Sequence, residues 1–155
     1  MNNIKEMKLY SNAQRIFNDL KALGYSEDDK LKLEDVNQFD QLHYHGTLSV
    51  QEAIESINIQ ENDDVLEVGA GWGGPSRYIA FKTRANVSAL ELQQDYSEVG
   101  KELTLKTGLE SFVTHINEDF LNYSRKDTCF DKIVSWLALY PVSYTHLTLP
   151  TSTHG

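Results

Sequence analysis

One run of ten residues constrains this chain more than any other: Val65-Leu66-Glu67-Val68-Gly69-Ala70-Gly71-Trp72-Gly73-Gly74. Val65, Leu66 and Val68 read as a parallel strand covered on both faces. One acid interrupts that strand, and a buried carboxylate costs free energy unless something pairs with it. Gly69, Gly71 and Gly73 then let the backbone turn sharply and approach a ligand closely. Residues 75–81 read as a helix with proline in its first turn and free N–H groups directed back at that ligand.

The rest of the chain continues the alternation. Residues 7–23 carry Leu9, Ile16, Leu20 and Leu23 at helical spacing, with Gly24 as a stop. Residues 33–46 are rich in polar and aromatic side chains. Ser49-Val50-Gln51-Glu52 has the capping-box pattern and predicts a short helix to about Ile57. Residues 86–92 predict a second strand ending in an acid. Residues 95–106 predict a helix with Tyr96, Val99 and Leu103 on one stripe and Gly108 as its stop. A third strand is expected over 111–116 and a fourth over 130–140. Strands alternating with helices imply an α/β fold, a doubly wound parallel sheet preceded by N-terminal helices.

Charge and cysteine usage narrow the partners. With 14 basic and 23 acidic residues the net charge is −9, which argues against a polyanion such as nucleic acid. An acidic surface also suits a cationic cofactor or amine, although solubility alone accounts for it. The single cysteine, Cys129, allows no internal disulfide and fits a reducing compartment. No apolar stretch reaches membrane-spanning length, and residues 1–6 lack the apolar core of a signal peptide, so no membrane is expected and the cytoplasm is the default.

The last fifteen residues, 141–155, change character: charge vanishes and Thr and Ser dominate. Pro-Val-Ser-Tyr-Thr-His-Leu-Thr-Leu-Pro-Thr reads as a transposase-type sequencing adapter translated in frame. The expectation is an artefact tail that has no place in fold reasoning. It follows that the natural chain continues beyond Tyr140, and that these residues alone form an inactive fragment. The expected organisation is 1–47 as a helix and lid segment, 48–140 as the core, and 141–155 as the tail.

Two cofactor readings of the glycine turn compete. Gly69-Ala70-Gly71-Trp72-Gly73-Gly74 satisfies G-x-G-x-x-G, the dinucleotide fingerprint of an NAD(P)-dependent oxidoreductase. A pyrophosphate wants positive potential, yet Glu67 stands two residues before the first glycine. Glu91 lies 22 residues after Gly69 and suits ribose hydroxyls, which both cofactors carry. His43 and His45 have no third ligand at metal spacing, so no metal site is expected. Neither a Gly-x-Ser-x-Gly elbow nor a P-loop is present.

The pattern acid-x-Gly-x-Gly-x-Gly between strand and helix resembles the first motif of class I S-adenosylmethionine (SAM)-dependent methyltransferases. The resemblance covers residues 34–140 and implies a Rossmann-like core of which four strands are readable. Asp40-Gln41-Leu42-His43-Tyr44-x-Gly46, followed by Gly73-Gly74-Pro75-Ser76-Arg77-Tyr78, looks most like the sarcosine/dimethylglycine N-methyltransferase group, which acts on small amines. Phosphoethanolamine and tocopherol-type methyltransferases and cyclopropane fatty acid synthases share the glycine-loop region.

By that resemblance the cofactor is S-adenosyl-L-methionine, held by Glu67, Gly69, Gly71, Gly73, Glu91 and Leu92. Asp119 would accept from the adenine amino group, with Phe120 against the ring; Glu118 competes for Asp119's role. Gln41 and Tyr44 would lie over the cofactor as part of an N-terminal lid. In the fourth strand Asp131 is expected to cap the start, and Ser135 and Trp136 to face the cofactor. The implied reaction is in-line attack of a small-molecule nucleophile on the sulfonium methyl, with the protein supplying alignment and desolvation. No catalytic residue is assigned. An amino-acid acceptor would need a cation for its carboxylate, and the lid offers none.

Overall fold

A computed structural model of the chain describes residues 12–43, 45–123 and 129–136. Tyr44, residues 137–140 of the expected fourth strand and the whole tail from 141 lie outside the described residues. The elements run α1 (Arg15–Ala22), α2 (Leu33–Asp40), α3 (Gly46–Ser56), β1 (Asp64–Val68), α4 (Gly74–Thr83), β2 (Asn86–Glu91), α5 (Gln94–Lys106), β3 (Val113–Asn117), α6 (Phe120–Tyr123) and β4 (Lys132–Ser135). All four strands are parallel, in the order β3-β2-β1-β4. The expected α/β sheet with helices before it is the fold observed.

Alternation along the strands sorts the core into two faces. Val65, Val87, Ala89 and Val134 meet Ile79 and Ala80 of α4 and Val50 and Ile54 of α3. Leu66, Val68 and Leu90 face the other way, against Tyr123 of α6. A separate cluster lies under α1 and α2, where Ile16, Leu20 and Val36 pack on Trp72, Tyr96, Val99 and Leu103. Asp131 ties the start of β4 to β1: its Oδ2 accepts from the Asp64 N–H at 2.8 Å, and its own N–H donates to Asp64 O at 2.8 Å.

Two local expectations fail. The Ser49 capping box does not form, because α3 starts at Gly46 with His45 in the left-handed region and no side-chain cap. Ser49 Oγ donates back to Gly46 O at 3.1 Å, the i−3 bond that a serine makes inside a helix. Residues 33–40, which carried no helical assignment, form α2, with Leu33, Val36 and Asp40 on its buried stripe. An acid ends that stripe where an apolar residue is expected, and this hides the helical period from the sequence.

Trp72 sits in the middle of the glycine turn but points into the protein, with 1% of its surface exposed. Its ring stacks on Tyr96 at 5.2 Å between centroids, the Arg15 guanidinium lies 4.6 Å over it, and Nε1 donates to Ala13 O at 3.0 Å. The turn is thereby fastened to α1 and α5. Trp72→Ala is expected to destabilise the fold by about 3–5 kcal/mol, the range for truncating a buried tryptophan. Urea unfolding of the two proteins checks this, and a loss below about 1 kcal/mol would show that the anchor is dispensable.

Candidate functional site

The carboxyl ends of β1, β2 and β3 lie side by side in the parallel sheet, with the turn after β1 above them, the place where open α/β sheets bind ligands. Gly69, Gly71 and Gly73 have φ of 70°, 55° and 79°, the left-handed region that glycine enters without strain. At Gly73 a Cβ would also stand 2.6 Å from His115 Cε1. The turn therefore needs glycine for its path and for the packing behind it.

Glu67 is 1% exposed, and its carboxyl group is bonded inside the protein. Its Oε1 accepts from Ser76 N–H at 3.1 Å and Ser76 Oγ at 2.7 Å, at the start of α4. Burial pushes its pKa up to about 8, against the downward pull of those two bonds. The expectation that the first-turn amides of α4 point freely at a ligand is therefore corrected at Ser76, whose N–H is taken by Glu67.

Glu91 shows the same habit. Its Oε2 accepts from Gly71 N–H at 3.0 Å, and its Oε1 from Gln93 N–H at 3.3 Å. Burial raises its pKa, while the Gln93 and Gly71 amides draw it down. Leu92 follows half-buried, its carbonyl accepting from Asn117 Nδ2 at 3.0 Å, which clips β2 to β3. Asp119 Oδ1 accepts from Leu121 N–H at 3.1 Å and so caps α6, while Phe120 packs beside the Leu66–Leu90 face.

The lid residues meet β4 over the same ground. Ser135 Oγ donates to Val68 O at 2.9 Å, and Trp136 lies 5.6 Å from the His43 ring. His43 Nε2 is 2.8 Å from Gln41 Oε1, and its Nδ1 is 3.1 Å from Ser49 Oγ. Leu42, His43, Trp136, Asp40, Glu67, Pro75 and the turn line a small, partly open cleft of about 30 Å³. Of the expected site residues Glu67, Gly69, Gly71 and Trp136 line this space, and Glu91 adjoins it through Gly71 N–H; Gln41, Leu92, Asp119 and Phe120 are not among its lining residues, and Gly73 faces His115 behind the turn.

Sequence reasoning passed over the polar network beneath the turn. Arg77 has no exposed side-chain surface: Nη2 lies 2.9 Å from Asp40 Oδ2, and Nη1 donates to Gly100 O and Thr104 Oγ1 at 3.1 Å each. Thr104 Oγ1 is also 2.7 Å from His115 Nε2. Burial, with Arg77 and Lys101 nearby, pushes the His115 pKa down to about 3. A signal existed, since Asp40 and Arg77 both fall in the two segments that carry the resemblance. Among the described residues no cluster of His, Cys, Asp and Glu is placed to hold a metal, and no helix is long and apolar enough to cross a membrane.

The family model for ribosomal RNA adenine dimethylase matches residues 34–140, the span from α2 through β4. The chain belongs to that family. That family is one of class I SAM-dependent methyltransferases, whose cofactor is S-adenosyl-L-methionine. The chain is 41% identical over 76 residues to the sterol 24-C-methyltransferase of Eremothecium gossypii, covering 48% of this chain and 20% of that protein. It is 30% identical over 86 residues to the sarcosine/dimethylglycine N-methyltransferase of Halorhodospira halochloris, covering 54% of this chain and 31% of that protein. The solved SAM-dependent methyltransferase from Thiobacillus denitrificans, in complex with S-adenosyl-L-homocysteine, matches with a TM-score of 0.59 at 17% identity, over 74% of this chain and 47% of that one; this shows a shared fold.

The chain thus spans about a fifth to a third of those two curated relatives. None of the three supports the oxidoreductase alternative. The exclusion of nucleic acid from net charge is not supported either, because a family named for ribosomal RNA includes this acidic chain.

The two shifted groups give opposite pH signatures. Folded Glu67 stays neutral up to about pH 8, whereas the unfolded chain ionises it near 4.5; its contribution is complete below 4.5 and lost as pH rises to about 8. Folded His115 stays neutral down to about pH 3, whereas the unfolded chain protonates it below 6.5; its contribution is complete above 6.5 and lost as pH falls toward 3. Relative to wild type, Glu67→Gln should therefore gain stability as pH rises from 4.5 to about 8, and His115→Gln as it falls from 6.5 toward 3. Thermal melts across that range check both, and a pH-independent difference for either variant would refute that assignment.

Proposed function

We propose that this chain is the SAM-binding part of a methyltransferase whose acceptor is a small molecule, an amine of the sarcosine or dimethylglycine kind. One observation carries the cofactor assignment. The amides that a dinucleotide's pyrophosphate would use are already occupied by carboxylates, Ser76 N–H by Glu67 and Gly71 N–H by Glu91. With those two amides taken, the turn has fewer N–H donors left for a phosphate, and Glu91 at the end of β2 adds an acceptor that suits ribose hydroxyls. SAM carries that ribose and has no phosphate.

When bound, the cofactor supplies an electrophilic methyl group. The chain's own residues hold and shield it. Gly69 and Gly71 give close backbone approach, Glu91 accepts from the ribose hydroxyls, and Leu92 and Phe120 offer apolar contact to the base. Asp119 keeps an acceptor oxygen near the base while its other oxygen caps α6. Gln41, Tyr44, Glu67 and Trp136 complete the set, and Gly73 supports the turn from behind. Leu42, His43 and Trp136 exclude water from the strand ends.

The amine acceptor rests on the sarcosine/dimethylglycine relative and on the lid motif. A tertiary amine loses no proton on methylation, so no general base is needed beyond free deprotonation of the amine. Arg77 cannot receive an acceptor's carboxylate, because its two terminal nitrogens are committed to Asp40, Gly100 and Thr104. We further propose the division into 1–47, 48–140 and a foreign 141–155, and a cytoplasmic location for a protein whose single cysteine, Cys129, is free and exposed.

Calorimetry with S-adenosylhomocysteine and with NADH tests the cofactor. Binding of the first and not the second is expected; the reverse would overturn the reading. Glu91→Ala should weaken S-adenosylhomocysteine by about 1.5–3 kcal/mol, the range for hydrogen bonds to a charged group, with far-ultraviolet circular dichroism unchanged. An unaltered dissociation constant would remove Glu91 from the site.

A further inference from the structure

We propose that Gln93 is a further cofactor-binding residue, whose side-chain amide pairs with the ribose hydroxyls of SAM beside Glu91. The inference rests on the cofactor reading above and extends it to a residue outside the glycine motif. Gln93 stands two positions after the end of β2 and is 9% exposed. Neither of its amide atoms, Oε1 or Nε2, has a hydrogen-bond partner among the described residues. Arg77 and His115 each leave one buried nitrogen unpaired as well, but both bond through their other nitrogens. Gln93 leaves its whole amide unused. A buried donor and a buried acceptor without partners each carry a desolvation cost, and nothing within the chain offsets it.

The position of Gln93 gives that cost no structural reason. Gln93 is the N-cap of α5, with φ −81° and ψ 115°, and its carbonyl accepts from Ser97 N–H at 3.0 Å. Short side chains such as serine, aspartate or asparagine are preferred there, because their oxygen reaches the free amides of the first turn. Gln93 makes no such bond. Leucine or methionine would fill the space with no polar atom to bury. The neighbouring Gln94 behaves in the ordinary way: it is exposed, and its Nε2 donates to Glu98 Oε1 at 2.8 Å. A residue that breaks two local rules with no gain inside the chain marks a binding site.

Glu91 indicates what is bound. Gln93 N–H donates to Glu91 Oε1 at 3.3 Å, and the same carboxyl takes Gly71 N–H through Oε2 at 3.0 Å. The Gln93 side chain therefore starts beside the group assigned to the ribose. Glu91 and Gln93 are both buried, whereas Leu92 between them is half-buried and Gln94 is exposed. A ribose diol offers two O–H donors and the lone pairs of two oxygens. An ionised carboxylate only accepts, so Glu91 takes O–H groups and leaves the lone pairs unmatched. An amide does both. Gln93 Nε2 gives the diol the donor that Glu91 lacks, and Gln93 Oε1 accepts from a neighbouring O–H.

The test measures S-adenosylhomocysteine and its 2′-deoxy and 3′-deoxy analogues by calorimetry, on the full chain and on Gln93→Met. Methionine keeps the length of glutamine and has no amide; Gln93→Leu takes its place if that variant does not fold. The variant is expected to bind S-adenosylhomocysteine roughly five- to tenfold more weakly, the loss of a hydrogen bond of ordinary strength. On at least one deoxy analogue that loss should be smaller by about threefold or more, because the shared contact is already gone. Without ligand the variant should melt at or above the wild-type temperature, since it removes two unpaired buried atoms. A glutamine that serves only the fold behaves in the opposite way. Unchanged binding of S-adenosylhomocysteine, an equal loss on all three ligands, or a lower melting temperature overturns the assignment. If wild type binds none of the three, the cofactor reading falls and this assignment with it.

Discussion

Arg77 projects from the first turns of α4 into the buried interior, and the surrounding elements are arranged to satisfy its guanidinium. Asp40 comes from α2, Gly100 and Thr104 from α5, and His115 from β3 continues the chain of contacts through Thr104. Small residues let these elements come close enough. A Cβ on Gly100 would stand 2.7 Å from Trp72 O and 2.8 Å from His115 Cε1. The low dielectric that makes the network strong when complete makes each missing partner expensive. One donor, Arg77 Nε, is buried without a partner among the described residues. The N-terminal helices are consequently part of the core, since the acid that balances Arg77 lies on α2.

Above this network the strand ends follow a different electrostatic rule. Glu67 takes the Ser76 N–H and hydroxyl, Glu91 takes the Gly71 and Gln93 amides, and the nearness of Glu91 adds to the cost of ionising Glu67. The turn they line has its Gly71 and Ser76 amides already taken, although glycine turns before helices commonly serve phosphates. The same G-x-G-x-x-G string thus fits different ligands, and the amides' partners separate them.

What the sequence determined by itself was the strand–turn–helix frame and the residues at its ends. Val65-Leu66-Glu67-Val68, the three spaced glycines and Glu91 were legible because strand alternation, positive φ and strand-end acids are local properties, set by residue type and short spacing. Asp131 as a strand cap was legible for the same reason, as was Gly108 after α5, where φ is 72°. Tertiary structure alone decided the rest. Asp40 looked like a polar loop residue until Arg77 met it across 37 positions, and with it went the helical stripe of α2. Trp72 looked like a spacer in the turn until Tyr96, Arg15 and Ala13 closed around it. Ser49 kept its capping pattern but not the cap, because the chain had already turned into α3 at His45. In each case the deciding partner is distant in sequence or held by backbone geometry. A buried charge or ring acquires its meaning only when folding removes the water that would otherwise satisfy it.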